Sequence, residues 1–164
     1  MISYCTRLLL LISTLLTASN SVADTLQGRV VGVTDGDTVK VLDSSYTQHT
    51  IRLMGIDAPE KRQAFGNRSK QSLSDLVFNK QVTVEYSKQD RYGRTVGKII
   101  VDGIDANLEQ VRRGMAWHYK KYQSEQTPED RVLYAQAEDQ ARAGRRGLWV
   151  DKEPIAPWDW RRMK

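Results

Sequence analysis

From residue 25 onward, apolar side chains recur first at the spacing of strands and later at that of helices. Residues 26–33, 38–42 and 49–54 are rich in Val, Ile, Leu and Thr, which suit a half-buried pleated surface. Asp35-Gly36-Asp37 and Asp43-Ser44-Ser45 separate these runs, and links this short join antiparallel neighbours. The pattern predicts a three-stranded meander that stops at Pro59. Between residues 66 and 79, Leu73, Leu76 and Val77 recur at helical spacing among polar residues, which predicts an amphipathic helix lying on the sheet. Val82, Val84 and Tyr86 then alternate with polar positions, and residues 95–101 form another β-branched run before Asp102-Gly103. Two more strands follow from that pattern, making five.

A short helix over residues 107–113 is predicted to end at Gly114, because glycine accepts the left-handed conformation that closes a helix. A longer helix has clearer limits. Thr127 caps it, Pro128 suits its first position, Glu129 and Asp130 favour its positive end, and Arg142 with Gly144 closes it. The tail over residues 153–164 contains Pro154, Pro157, Trp158 and Trp160 and shows no clear period. The fold class expected is α+β, a five-stranded Greek-key barrel with about three packed helices.

Residues 1–23 follow a different pattern. The first seven carry one basic side chain and no acid, and Leu8 to Leu16 are mostly apolar, a run shorter than the roughly 20 residues of a membrane span. Ser21-Val22-Ala23 places small side chains where a signal peptidase reads them. The expectation is a signal peptide, residues 1–23, and one exported domain, residues 24–164, in the periplasm or outside the cell. An uncleaved N-terminal anchor or a buried helix is the alternative, and either leaves the downstream domain unchanged. The only cysteine, Cys5, lies in the leading segment, so the mature chain has neither a disulfide nor a zinc–thiolate site.

A formal charge of +5 and a pI near 9.4 suit a negatively charged partner such as nucleic acid. Proteins that touch no nucleic acid reach the same balance, so position has to supply the rest. Four motifs do so: Asp35-Gly36-Asp37-Thr38, Ile51-Arg52-Leu53, Ile56-Asp57-Ala58-Pro59-Glu60 and Asp90-Arg91-Tyr92-Gly93-Arg94. Each alone is an ordinary turn, strand or hairpin corner. A Greek-key barrel, however, brings the ends of its first, third and fourth strands together. Asp37 and Asp57 then offer hard oxygens, and two carboxylates converging with a free carbonyl can hold Ca²⁺. Pro59 disfavours the helical region for Ala58, leaving the Ala58 carbonyl available. Arg52 and Arg94 suit the charge that gathers on a phosphodiester in its transition state, because a guanidinium forks two donors onto two oxygens. Glu60 can receive the proton of an attacking water or orient it.

These motifs, in this order and spacing, resemble the thermonuclease (micrococcal nuclease) family over about residues 26–149. Gly147-Leu148-Trp149 and Pro157-Trp158-Asp159-Trp160-Arg161 resemble its bacterial secreted branch. The resemblance implies an OB-type barrel and a Ca²⁺-dependent endonuclease acting on DNA and RNA, with products ending in 3′-phosphate. It assigns Arg52, Glu60 and Arg94 to catalysis and Asp37, Asp57 and the Ala58 carbonyl to the metal, with Asp35 and Thr38 supporting them. Ala58 stands where the staphylococcal pattern has threonine, so a side-chain hydroxyl is missing but the backbone ligand is kept. The lysine-rich loop of that pattern is reduced to Lys61-Arg62-Gln63-Ala64-Phe65-Gly66.

Tyr92, Trp117, Tyr119 and Tyr122 are the candidate nucleotide-binding aromatics, with a core position as the alternative for Trp117. His49 and His118 are expected on the surface, and Arg142, Arg145 and Arg146 at carbonyls of a helix end. DNA and RNA are the partners expected, the chain itself a monomer with no stable protein partner. A silent OB-type module that binds single strands is the competing function, but a degenerate copy would be expected to lack one of Asp37, Arg52, Asp57, Glu60 or Arg94.

Overall fold

Val39 and Val41 are fully buried while Lys40 between them is exposed, and this alternation gives each strand one face toward a common core. The computed structural model describes residues 24–163, so the expected signal peptide lies outside the described residues. Among the described residues five long strands are present: β1 (Asp24–Asp35), β2 (Thr38–Asp43), β3 (Gln48–Leu53), β4 (Gln81–Gln89) and β5 (Thr95–Val101). β1 pairs antiparallel with both β2 and β4, β2 with β3, and β4 with β5. The parallel pairing of β3 with β5, Ile51 opposite Thr95 and Leu53 opposite Gly97, closes the barrel. Register shifts after Val30 and Val33 in β1 and after Tyr86 in β4 supply the bends that closure needs. The five-stranded OB-type barrel with packed helices is therefore present.

Helix α1 (Gly66–Val77) turns Leu73, Leu76 and Val77 into the core beside Val30 and Ile51. It ends two residues before the expected limit, because Phe78 is extended and Asn79 has φ +61°. Helix α2 (Ala106–Arg112) is capped by Asp105, whose carboxylate accepts the Leu108 N–H at 2.9 Å, and Gly114 follows it with φ +68°. Helix α3 (Pro128–Ala143) begins as the sequence indicated, Thr127 Oγ1 accepting the Asp130 N–H at 3.1 Å. The tail, which has no sequence period, forms one further turn, α4 (Pro157–Trp160).

Two features lie beyond the reach of periodicity. Ile56–Asp57 and Trp117–His118 form a two-residue antiparallel ladder, Asp57 opposite Trp117. A second cluster packs Trp117, Ala141, Leu148, Trp149 and Ala156 together, with Phe65 and Trp158 against it. That cluster ties the tail to α3 and to the ladder. His118, expected on the surface, is only 2% exposed. Its Nε2 lies 2.8 Å from Gln126 Oε1, its ring edge meets Tyr134, and burial lowers its pKa. His49 is partly exposed and pairs with Asp43 at 2.8 Å. Of the arginines assigned to a helix end, Arg146 donates to the Gln140 carbonyl at 3.2 Å, but Arg145 reaches Val150 and Arg142 lies over the Trp149 ring at 3.9 Å. Two large rings beside α3 offer Arg142 more contact than a solvated carbonyl does.

Candidate active site

The β1–β2 turn sets Asp37 by close packing. A Cβ on Gly36 would collide with the Ser69 hydroxyl of α1 and come within 2.8 Å of the Ala58 Cβ. Gln110 of α2 donates to the Gly36 carbonyl at 2.9 Å and to the Ser69 carbonyl at 3.1 Å. The turn is thus held between two helices. Asp35 Oδ1 accepts the Asp37 N–H at 3.1 Å, and Thr38 Oγ1 donates to Asp37 Oδ1 at 3.1 Å. Burial and the neighbouring Asp37 charge push the Asp35 pKa up to about 6.

Asp37 and Asp57 converge. Asp37 Oδ2 accepts the Ala58 N–H at 2.7 Å, while the two-residue ladder holds Asp57 in place at 1% exposure. Arg52, from β3, meets both carboxylates through one nitrogen: Nη2 is 3.2 Å from Asp37 Oδ2 and 3.1 Å from Asp57 Oδ1. Its Nη1 donates to the carbonyls of Leu53 at 2.8 Å and Ile56 at 3.0 Å. Four donor positions fixed in a plane hold this guanidinium more firmly than three ammonium donors could hold a lysine. Burial raises the Asp57 pKa, and Arg161 and Arg52 work against that rise.

Glu60 lies at the cluster's open side. Its backbone N–H donates to Gln63 Oε1 at 3.0 Å, and Gln63 Nε2 donates to the tail carbonyl of Ile155 at 2.6 Å. Its carboxylate accepts Arg161 Nη1 at 2.8 Å. Arg161 also forks onto Asp57, Nη2 to Oδ2 at 2.7 Å and Nη1 to Oδ1 at 3.2 Å. Sequence reasoning gave Arg161 no role. Its only signal was its place in the Pro157-Trp158-Asp159-Trp160-Arg161 run, more than 100 residues from its partners.

Arg94 is not brought into this cluster. Its Nε pairs with Asp90 Oδ2 at 2.7 Å inside the β4–β5 hairpin, and among the described residues no contact joins it to Asp37, Asp57 or Glu60. Its neighbour Thr95 does lie opposite Ile51, so the hairpin adjoins the strand that carries Arg52. Tyr92 is exposed beneath the Arg91 guanidinium. Tyr119 stacks on Trp158 with centroids 5.2 Å apart and meets the edge of Tyr122 at 4.9 Å. Trp117 is buried, 4.4 Å from Trp149 and 5.5 Å from Trp158. It nonetheless lines a cavity of about 350 Å³ together with Tyr119, Lys120, Lys121, Arg142 and Trp158.

Hard, charged oxygens gathered about a cationic guanidinium suit a hard divalent cation. Among the described residues no three His, Cys, Asp or Glu side chains form a metal cage. A cation here would therefore rely on two carboxylates, a backbone carbonyl and oxygens from outside the protein, which is a donor set that calcium tolerates.

The family described as staphylococcal nuclease homologue matches residues 50–151. A Haemophilus influenzae protein described as an uncharacterized endonuclease is 44% identical over 156 residues, covering 95% of this chain and 83% of the relative. An Escherichia coli O157:H7 protein of the same description is 45% identical over 140 residues, covering 85% and 87%. A micrococcal nuclease of Shigella flexneri is 41% identical over 145 residues, covering 83% and 80%.

Proposed function

The chain belongs to the family of staphylococcal nuclease homologues, hydrolases that act on nucleic acids, and we propose that it is an exported, Ca²⁺-dependent endonuclease that cuts DNA and RNA to leave 3′-phosphate ends. The observation that carries this reading is the convergence of Asp37 and Asp57 on one nitrogen of Arg52, with Glu60 beside them. Asp37, Asp57 and the Ala58 carbonyl would hold the ion, with Asp35 and Thr38 setting the Asp37 turn. Calcium bound there supplies polarisation of a phosphate oxygen and an ordered water.

The protein's own groups do the rest. Glu60 receives the proton of the attacking water as the new oxygen–phosphorus bond forms. The P–O5′ bond breaks, the phosphate stays on the 3′ oxygen, and the departing 5′ oxygen regains a proton from solvent. Arg52 and Arg94 meet the charge that grows on the equatorial oxygens. Tyr92, Tyr119 and Tyr122 offer faces to bases, each worth about 1–3 kcal/mol by stacking, and Trp117 lines the cavity beside Tyr119. Export rests on the leading segment of the sequence, whose apolar run is followed by the small residues Ser21-Val22-Ala23. A mature N-terminus at Asp24 is the outcome expected from sequencing exported protein.

The decisive assay incubates metal-stripped protein with linear DNA and with RNA in calcium, in magnesium and in chelator. Cleavage in calcium alone is expected, with ends that resist polymerase extension until a phosphatase removes the 3′-phosphate. Full activity in magnesium overturns the calcium site, because magnesium demands a near-ideal octahedron at about 2.0–2.1 Å. Binding without cleavage in any metal leaves a binding module.

A further inference from the structure

Among the described residues, Arg161 is the one cation of the site that comes from the C-terminal tail, and it covers the site's most buried acid. Its two terminal nitrogens take both oxygens of Asp57, at 2.7 and 3.2 Å, and Nη1 also reaches Glu60 Oε1 at 2.8 Å. Arg52 already occupies Asp57 Oδ1 and Asp37 Oδ2 from the other side. A cation held by Asp37 and Asp57 beside Glu60 needs the Asp57 lone pairs that Arg161 holds.

We propose that Arg161 is a built-in competitor for the cation site: its guanidinium neutralises Asp57 and Glu60 in the metal-free protein and must withdraw for a divalent cation to enter. This C-terminal arginine thereby sets the calcium concentration at which the site loads. The proposal rests on the calcium reading given above.

The two arginines differ in their freedom to leave. The Arg52 side chain is 16% exposed and anchored on the carbonyls of Leu53 and Ile56. The Arg161 side chain is 42% exposed, and it meets the two carboxylates and the Tyr119 hydroxyl rather than buried backbone carbonyls. It can therefore exchange the acids for water, where a guanidinium is well solvated. The backbone that carries it stays in place. The Arg161 N–H donates to the Pro157 carbonyl at 3.0 Å, Trp158 stacks on Tyr119, and Gln63 links the Glu60 backbone to Ile155. Withdrawal needs only side-chain torsions and returns the guanidinium when the cation leaves.

Charge gives the exchange its direction. Asp35, Asp37, Asp57 and Glu60 surround the site, and Arg52 and Arg161 are the guanidiniums that meet them. Replacing one positive charge by two improves the balance, whereas removing Arg161 with nothing in its place leaves four acids facing Arg52. An Arg161-less site is thus emptier of competition and more strongly attractive to a cation.

The test is direct calcium binding by calorimetry on chelator-stripped, full-length native protein and on Arg161→Gln, at fixed ionic strength, with thermal unfolding in chelator to verify the fold. About a tenfold or greater gain in calcium affinity is expected for Arg161→Gln, with a smaller gain for Arg161→Lys, which keeps the charge but loses the fork. Unchanged affinity overturns the proposal, and weaker affinity overturns it by making Arg161 a group that positions the acids for the metal. If Arg161→Gln does not fold, Arg161→Lys decides alone, and an affinity equal to that of the native protein sinks the idea. Equal binding by all proteins leaves the calcium reading intact. Absence of binding in every folded protein removes that reading, and this one with it.

Discussion

Asp57 and Glu138 are each 1% exposed, and both are tied to the short ladder between Ile56–Asp57 and Trp117–His118. Their surroundings differ in sign. Glu138 accepts the His118 N–H at 3.1 Å and Lys120 Nζ at 3.1 Å, with Arg142 at 3.7 Å, so one acid faces two cations and a backbone donor. Asp57 shares Arg52 with Asp37 and Arg161 with Glu60, so acids outnumber cations. A buried carboxylate whose charge is matched holds elements together. A buried cluster whose negative charge exceeds its partners is costly to assemble and is expected where a cation or a reacting phosphate supplies the missing positive charge.

The sharpest break of this contrast is Glu60→Gln. Its carboxylate is partly exposed, so the fold should be kept while kcat falls by about two orders of magnitude or more. Steady-state DNA hydrolysis at saturating calcium checks this, and near-normal turnover would remove Glu60 from the chemistry. Glu138→Gln should do the opposite. Neutralising a matched acid is expected to cost about 1–3 kcal/mol of stability and to leave kcat per folded molecule within about twofold. Urea unfolding paired with activity tests it, and a large loss of turnover in intact protein would erase the distinction between the two acids.

The smallest effect concerns His118, on the Glu138 side of the ladder. Burial holds its folded pKa below the ordinary 6.5, with Lys120 pushing the same way and Gln126 and Glu138 opposing; the Tyr134 ring packs beside it. The neutral ring is thus favoured in the folded state. Its contribution to stability is present above pH 6.5 and is lost as pH falls through that value toward the folded pKa, by uptake of at most one proton. His118→Gln should flatten the pH dependence of unfolding in this window. An unchanged slope would show that the fold accepts a charged His118.

The sequence was most informative where periodicity is strong. The β-branched runs, the Asp-Gly-Asp turn and the Thr127-Pro128 start of α3 all specify local geometry, and the structure places them as expected. The motifs of Asp37, Arg52, Asp57 and Glu60 were likewise legible, because turns and strand ends at fixed separations in a five-stranded barrel converge. Arg94 was legible only as a motif; its side chain is held by Asp90, a local partner that its spacing does not set against the site.

What the chain's order alone determined, then, is the barrel, its helices and the identity of the acids, since backbone propensity and side-chain alternation act over a few residues. Tertiary structure decided the rest. The Ile56–Asp57 and Trp117–His118 ladder has only two residues on each side and leaves no pattern. The burial of His118 depends on Gln126, Glu138 and Tyr134, which arrive from later segments. Arg161 reaches Asp57 because the tryptophan-rich tail packs against α3 and the ladder. Such contacts depend on shape and charge meeting across long separations, and neither periodicity nor local propensity encodes them.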